Sequence, residues 1–347
     1  MENNVITEIE KTAKTADTST EQVQAPKRNE QRFTLPESFE VRGGPYIRRS
    51  ERVSTIMLDM ISALLPAFLW GCTAFGARAL LLALISVGVA FVADILVCLV
   101  MKNKMTALDL SSVVTGLIIA MCLPVNAPLW MPAVGALFAI VVVKQCFGGL
   151  GKNIFNPAAA AIVLLSVGER ALSHFAKISP GAFSGAETKA PLEVLKTGEL
   201  PTDSILDLVI GNCAGAIGEV SSLLLVAGGV YLLFRRVISW RIPVSFIGTV
   251  ALITLIFPKY SGVAAEFMIY ELLSGALLLG AFFMATDPVT SPVTDLGKII
   301  FGIGCGLITV LIRYFGASAE GVMYAILVMN LTVPLIEKIT RQKSLGK

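Results

Sequence analysis

Residues 148–157 read Gly-Gly-Leu-Gly-Lys-Asn-Ile-Phe-Asn-Pro, a polar, glycine-rich stretch between two apolar runs, 128–143 and 158–166. Because an unpaired backbone group in hydrocarbon costs several kcal/mol, irregular backbone beside a bilayer is tolerated only where protein, water or a ligand satisfies it. A second interruption, residues 286–295, also separates two apolar runs. Paired interruptions in the two halves of a chain predict a central binding site.

The composition is typical of a membrane protein. Of the 347 residues, 55% are hydrophobic and 15% are charged, which is too apolar for the surface of an ordinary water-soluble domain. The formal net charge of +3 is too small to indicate a nucleic-acid partner, and the basic residues lie near the ends of apolar runs. We therefore predict an integral protein of the lipid bilayer that binds no nucleic acid.

Cysteine and histidine are not spaced as metal ligands. The six cysteines stand singly within or beside apolar runs, without the Cys-x-x-Cys spacing of zinc or self-contained iron–sulfur sites. His174 is the single histidine and cannot form a multi-histidine metal or haem site alone. We predict no metal site, and we interpret the cysteines as small buried apolar residues.

The apolar runs predict an all-α integral membrane protein with about ten transmembrane helices, since one crossing needs about 20 residues. The runs are 55–75, 79–101, 107–124, 128–146, 154–168, 205–234, 243–257, 265–285, 299–313 and 321–336. The polytopic membrane domain is then 53–337. Residues 1–52 form an N-terminal tail and entry segment; the tail is predicted to be disordered because it has few large apolar side chains. Residues 338–347 form a short C-terminal tail.

Lysine and arginine in the short turns favour one orientation. If the N-terminal tail is cytoplasmic, the inner side holds Lys102, Lys104, Lys144, Lys152, Arg235, Arg236, Arg241, Lys298, Lys338, Arg341, Lys343 and Lys347. The positive-inside bias then predicts that both termini are cytoplasmic and that 169–204 is an extracytoplasmic loop. Five spans on each side of this loop predict two inverted five-helix halves with broken or re-entrant segments.

Acidic residues within the apolar runs are candidates for an ion path. Asp109 and Glu219 have serines nearby, and carboxylate and hydroxyl oxygens suit Na⁺ or a proton relay. Helix capping explains both residues equally well. Asp59, Asp94 and Glu266 lie near run ends, and we expect their carboxylates to reach the lipid headgroups.

The two interruptions carry groups that suit a planar heteroaromatic ligand. Glycines permit close approach of the backbone, asparagine amides donate and accept, and a phenylalanine ring can stack. The residues concerned are Gly148, Gly149, Gly151, Asn153, Asn156 and Phe155 in the first interruption, and Thr286, Asp287, Thr290 and Ser291 in the second. The alternative is structural, with asparagines that cap the next helix and prolines that fix a turn.

Several motifs in order carry a resemblance to a known family. The strongest are Gly-Gly-Leu-Gly-Lys-Asn-Ile-Phe-Asn-Pro-Ala (148–158), Met-Ala-Thr-Asp-Pro-Val-Thr-Ser-Pro (284–292) and Ser-Trp-Arg-Ile-Pro-Val-Ser (239–245). They resemble the family of membrane proteins that contains RnfD of the Rnf electron-transport complex and NqrB of the Na⁺-translocating NADH:quinone reductase. The resemblance covers about residues 44–337.

The resemblance implies a flavin-carrying subunit of a bacterial cytoplasmic-membrane complex. That complex passes electrons between reduced ferredoxin and NAD⁺ while it moves Na⁺ or H⁺, and its other subunits, including iron–sulfur and flavin subunits, would be the partners. This chain alone would not be active. It has neither a Rossmann-type glycine fingerprint nor clustered cysteines, so electrons must come from those partners.

The family attaches FMN through a phosphoester to the threonine of a Ser-Gly-Ala-Thr sequence in the loop after the fifth span. Here Ser184, Gly185 and Ala186 match, Glu187 occupies the threonine position, and Thr188 follows one residue later. Because the ester requires a hydroxyl, the resemblance implies Thr188 as the acceptor, with Ser184 next.

Three alternatives stay open. A non-covalent flavin such as riboflavin can lie between the interruptions, as a second flavin or in place of covalent FMN. The chain can instead be a scaffold that has lost its covalent flavin. A channel or transporter for a small solute or ion would also use paired breaks.

Overall fold

The computed structural model describes residues 52–101, 109–168, 175–176, 187–219, 221–260 and 262–341. Within these residues the chain is helical apart from one antiparallel ladder of two residues a strand, β1 (Phe175–Ala176) with β2 (Glu187–Thr188). The predicted all-α class is therefore confirmed. His174 and Ser184 lie outside the described residues, as does the predicted tail up to residue 51.

Thirteen helices make up the described part. Before the predicted loop these are α1 (Val53–Phe75), α2 (Ala77–Val100), α3 (Ser111–Cys122), α4 (Trp130–Leu137, continued as a π-helix over Phe138–Gln145) and α5 (Pro157–Gly168). The loop contains β1, β2 and α6 (Pro191–Lys196). After it come α7 (Ile205–Ile210), α8 (Ser222–Phe234), α9 (Arg241–Ile256), α10 (Ala264–Leu273), α11 (Leu277–Leu279, continued as a π-helix over Gly280–Met284), α12 (Asp295–Phe315) and α13 (Val322–Thr340).

The lengths of these helices are those of a membrane bundle. Helices α1, α2, α12 and α13 are each long and apolar enough to cross a bilayer. Helices α10 and α11 together form a fifth candidate span, bent by 62°. The described part also contains five shorter apolar helices, α3, α4, α5, α8 and α9. An apolar helix thus lies at each predicted run, while the count of ten spans stays a prediction.

Two predicted runs are not continuous helices. The run 205–234 divides into α7 and α8, because a capping box between Ser204 and Asp207 starts a short helix that Gly211 ends at φ 104°. The run 265–285 breaks at Gly275, whose φ of 71° lies in the left-handed region that favours glycine.

Small residues set how closely the helices pack. A Cβ added to Gly116 of α3 would lie 2.8 Å from the Cα of Val87 in α2. Gly228 of α8 lies against the backbone of Ala63 in α1. Such contacts are typical of membrane helices. The hydrophobic effect does not drive helix association in lipid, so close packing of the backbones stabilises it instead.

The cysteines follow the prediction in part. Cys98, Cys122, Cys213 and Cys305 are buried, whereas Cys72 is half-buried and Cys146 is exposed.

Candidate functional site

The two sequence interruptions meet in the folded chain. Asn156 is the penultimate residue of the first interruption, and its Nδ2 donates to the carbonyl of Met284, two residues before the second one begins, at 3.0 Å. Its Oδ1 accepts from the backbone N–H groups of Ala158 (3.0 Å) and Ala159 (3.2 Å). Asn156 therefore caps α5 and joins the two breaks with one side chain.

Asn330 of α13 connects the same two segments from a third side. With its amide oriented so that both ends are satisfied, its oxygen accepts from the N–H of Asn156 at 3.0 Å and its nitrogen donates to the carbonyl of Thr290 at 3.2 Å. Asn330 is buried. Its polarity within an apolar run was the sequence signal for this role.

A cavity of about 60 Å³, here called the small cavity, lies between the breaks. Asn153, Asn156, Thr286 and Asp287 line it, so the folded chain brings these four residues together. Ligand pockets for molecules of flavin size usually measure about 300–1,000 Å³. The small cavity in this conformation has room for about two water molecules, so its side chains would have to move to admit a flavin ring.

The remaining residues proposed for the first interruption serve its backbone. Gly148, Gly149 and Gly151 have φ values of 105°, 87° and 90°, which explains why glycine is needed at each position. Phe155 is half-buried and does not line the small cavity; its carbonyl accepts from Asn153 at 3.2 Å. A binding role for these four residues stays a prediction.

A buried ion pair lies beside the small cavity. Lys144 Nζ is 2.9 Å from Asp94 Oδ2 and 2.9 Å from Ser111 Oγ, and Gln145 also donates to Asp94. The side chains of Lys144 and Asp94 are 2% and 0% exposed. The expectation that Asp94 reaches the headgroups is therefore wrong, and Lys144, which was counted with the short turns, lies in the π-helix that ends α4. The carboxylate is compensated within the bundle instead.

Asp59 was also expected to reach the headgroups. Its carboxylate lies 3.1 Å from Arg235, and 13% of its side chain is exposed. Glu266 stands in the first turn of α10.

A second and much larger cavity, here called the large cavity, has a volume of about 860 Å³. Its walls come from the ends of α3 and α5, from α6, and from the irregular segments 213–219, 274–276 and 317–320. Ala190 and Pro191 line it, and Lys189 alone separates them from the end of β2. Sequence reasoning missed this cavity.

Arg313 organises one wall of the large cavity. Its NH1 donates to the carboxylate and to the carbonyl of Glu271, both at 2.7 Å, and its NH2 donates to the carbonyl of Ser274 at 3.3 Å. Glu320 accepts from the N–H of Ala276 at 2.9 Å. These contacts satisfy backbone groups that the break between α10 and α11 leaves open.

Lys196 lies where the large cavity meets the segment outside the bundle. It lines the cavity and donates to the carbonyl of Ala317. Burial, together with the charge of the neighbouring Lys259, lowers the pKa of Lys196. Because the positive charge of Lys196 is costly to maintain in this position, an anionic group nearby would stabilise it.

Asp109 and Glu219, the predicted ion-path residues, are not brought together. Asp109 precedes α3 by two residues, whereas Glu219 lies beside the other end of α3, since the N–H of Gly218 donates to the carbonyl of Met121 at 2.8 Å. The 12 residues of α3 are about 18 Å long. Glu219 lines the large cavity, and Asp109 lines neither cavity.

The fold and the two cavities define a class of protein. The chain is a polytopic helical membrane protein whose helices break around the small cavity at one end and a ligand-sized cavity at the other.

Comparison with known sequences places the chain within this class. A match to the NQR2, RnfD, RnfE family covers residues 40–346, and the chain belongs to that family.

Similar proteins match over most of their length, and each of the three that follow is the component designated D of its complex. In the Na⁺-translocating ferredoxin:NAD⁺ oxidoreductase complex of Acetobacterium woodii, this component is 42% identical over 312 residues, 88% of this chain and 95% of that protein. In the proton-translocating ferredoxin:NAD⁺ oxidoreductase complex of Clostridium ljungdahlii, it is 38% identical over 320 residues, 89% of this chain and 96% of that protein. In an ion-translocating oxidoreductase complex of Aliivibrio salmonicida, it is 33% identical over 349 residues, 89% of this chain and 99% of that protein.

Proposed function

We propose that this protein is the flavin-bearing membrane subunit of an ion-translocating ferredoxin:NAD⁺ oxidoreductase complex. Its family membership and the names of its relatives support this role. Its partners are the other subunits of that complex, including those that carry iron–sulfur clusters and flavin, with ferredoxin and NAD⁺ reached through them. The complex lies in the bacterial cytoplasmic membrane, and it moves Na⁺ or H⁺.

The observation that carries the flavin assignment is the position of Thr188 beside the large cavity. Thr188 ends β2 and precedes Ala190, which lines the cavity, by two residues. Two residues of extended chain span at most about 7 Å. A flavin esterified to Thr188 is therefore within reach of a cavity whose volume of about 860 Å³ lies in the range for such ligands.

The residues of the large cavity fit an FMN group. Ser274 lines the cavity and its hydroxyl has no hydrogen-bond partner within the described residues, so it is available to a polar ligand atom. The ammonium group of Lys196 can offset the negative charge of a phosphoester. The carboxylate of Glu187 opposes this effect, because it would repel the phosphoester. Bound FMN would supply electron transfer, while the protein positions it and excludes water. A second, non-covalent flavin such as riboflavin stays a prediction for the small cavity, since it requires side chains there to move.

The distribution of basic residues supports the orientation. Val237 and Ile238 line the small cavity directly after Arg235 and Arg236. The positive-inside bias then makes the small cavity cytoplasmic and the large cavity extracytoplasmic. Both termini are cytoplasmic in this arrangement.

The test is flavin fluorescence in a denaturing gel. The chain is expressed with its complex and its flavin transferase, as wild type, as Thr188→Val and as Thr197→Val. Thr197 is a matched control because it is an exposed threonine in the same segment, and its Oγ1 donates to the carbonyl of Val194 at 2.7 Å. We expect fluorescence in wild type and in Thr197→Val, and none in Thr188→Val.

Two other results would change the assignment. Fluorescence retained in Thr188→Val would move the link to another hydroxyl, with Ser184 next. No fluorescence in wild type, with the transferase active on another substrate, would overturn covalent attachment.

A further inference from the structure

Two oxygen atoms in the wall of the large cavity are buried without a hydrogen-bond partner within the described residues. They are the hydroxyl oxygen of Ser274, a residue that is 4% exposed, and Oε2 of Glu320. Both residues line the cavity, so a rotation of each terminal group turns the oxygen toward a molecule bound there. A buried polar atom without a partner is costly, and a ligand in the cavity is a source of the missing hydrogen bonds.

Contacts with the same neighbours hold the two residues together. Arg313 NH2 donates to the carbonyl of Ser274 at 3.3 Å and lies 3.8 Å from Glu320 Oε1. The N–H of Ala276, two residues after Ser274, donates to Glu320 Oε1 at 2.9 Å. A Cβ added to Gly275, the residue between them, would meet the same oxygen. The carboxylate of Glu320 therefore lies against the turn that Ser274 begins, at the break between α10 and α11.

The two side chains differ in hydrogen-bonding character. An ionised carboxylate only accepts hydrogen bonds, whereas a serine hydroxyl also donates one. Burial raises the pKa of Glu320, and an N–H donor at Oε2 favours the ionised form. The matching ligand edge has an N–H group beside a carbonyl, as in a cyclic imide. The isoalloxazine ring of a flavin carries this edge, because its N3–H lies between two carbonyl groups.

We propose that Glu320 and Ser274 bind the imide edge of the flavin in the large cavity. Glu320 accepts from the N3–H of the ring, and the hydroxyl of Ser274 donates to a neighbouring carbonyl. The identity of the ring rests on the proposed function, whereas recognition of an imide edge is testable without covalent flavin. The carboxylate also lies where it opposes the negative charge that reduction adds to the ring.

The first measurement compares two free flavins that differ in one group. In 3-methyllumiflavin a methyl group replaces the N3 hydrogen of lumiflavin, so this probe cannot donate at the imide edge. The complex is produced without its flavin transferase, which leaves the large cavity free of esterified flavin, and each probe is titrated by fluorescence quenching. We expect lumiflavin to bind about 10- to 100-fold more tightly, since 3-methyllumiflavin loses a hydrogen bond to a carboxylate.

Three variants assign this preference to the pair. Glu320→Gln keeps an acceptor for the N–H of Ala276 but turns an amide N–H toward the ring, so the preference for lumiflavin should be lost. Ser274→Ala keeps the backbone carbonyl that accepts from Arg313, and it should weaken both probes about two- to tenfold without changing the preference. The matched control is Glu193→Gln, because Glu193 is a carboxylate of α6 that lines the same cavity. Its affinities for both probes should equal those of the wild type.

The second measurement is the midpoint potential of the covalent flavin in the complete complex. Removal of the negative charge in Glu320→Gln should favour the reduced ring about tenfold, which is a rise of about 59 mV for a one-electron couple. Glu193→Gln should raise the potential less, because its carboxylate is not at the break between α10 and α11. Equal rises in the two variants would be an effect of net charge and would overturn the contact.

The outcomes separate this proposal from the proposed function. Equal affinities of the two probes in wild type, or a preference that persists in Glu320→Gln, overturns recognition by the pair, and water then satisfies the two oxygens. Absence of binding by either probe overturns it as well. A wild-type complex without covalent flavin, after expression with the transferase, overturns covalent attachment, while the preference for lumiflavin still decides the role of the pair.

Discussion

Removal of Asp94 should destabilise the protein far more than removal of an exposed carboxylate. Lys144 Nζ lies 2.9 Å from Asp94 Oδ2, with both side chains at most 2% exposed. At an effective dielectric constant of about 20, this attraction is about 6 kcal/mol. Asp94→Leu leaves an ammonium group buried without its counter-charge, and we expect a loss of about 3–5 kcal/mol in the free energy of unfolding.

A double variant separates charge from packing. In Asp94→Leu with Lys144→Met, two apolar side chains of similar size replace the pair, and such replacements are often close to neutral. Gln145 then loses the carboxylate of Asp94 as an acceptor, so we expect a residual cost of about 1–3 kcal/mol. Most of the loss in the single variant should therefore be recovered.

The assay is unfolding of the purified protein in mixed micelles, with the ion pair of Asp59 as the control. Arg235 lies 3.1 Å from Asp59, but its side chain is 52% exposed, so Asp59→Asn should cost less than about 1 kcal/mol. If Asp94→Leu cost no more than Asp59→Asn, or if the double variant were as unstable as the single one, burial would not be what makes the pair costly to break, and the reasoning would be refuted.

Three further predictions concern the backbone breaks. Gly275→Ala should lower the unfolding free energy by at least about 1–2 kcal/mol, since the φ of Gly275 is 71° and an added Cβ meets the carboxylate of Glu320. The control is Gly248→Ala within α9, where an added Cβ meets no atom; it should stabilise the protein by up to about 1 kcal/mol in the same assay. Asn156→Ala should cost about 2–4 kcal/mol by unfolding titration because it removes a helix cap and a buried donor. Hydrogen bonds to Ser204 lower the pKa of Asp207. Its contribution to the stability of α7 is therefore present above its unfolded-state pKa and is lost as the pH falls through the lower folded-state pKa. Protection factors from hydrogen exchange over 205–210 should fall with acid in wild type and stay constant in Asp207→Asn.

The first interruption, residues 148–157, could be predicted because its chemistry is local. Gly148 and Gly151 adopt left-handed φ values, and Asn156 caps the helix that follows it. Each of these roles is encoded within a few residues. The apolar runs around them indicated the helices for the same reason.

The ion pairs could not be predicted because each partner is distant in sequence. Asp94 and Lys144 are 50 residues apart, and Glu271 and Arg313 are 42 apart. Hydropathy treats each of these charged residues as unpaired and therefore predicts that it lies at the lipid headgroups. A partner on another helix cannot be recognised from the sequence of either segment. The large cavity is similarly built from segments far apart in the chain, and its irregular wall at 213–219 lies within a run that hydropathy presents as one helix.

The central claim is that the flavin of this protein is attached beside the large cavity. Its most direct test is mass spectrometry of the peptide that contains residues 187–196, taken from the complex expressed with its flavin transferase. We expect an added FMN phosphoester whose fragmentation places it on Thr188. A peptide with unmodified Thr188, from cells in which the transferase has loaded another protein, would contradict the claim.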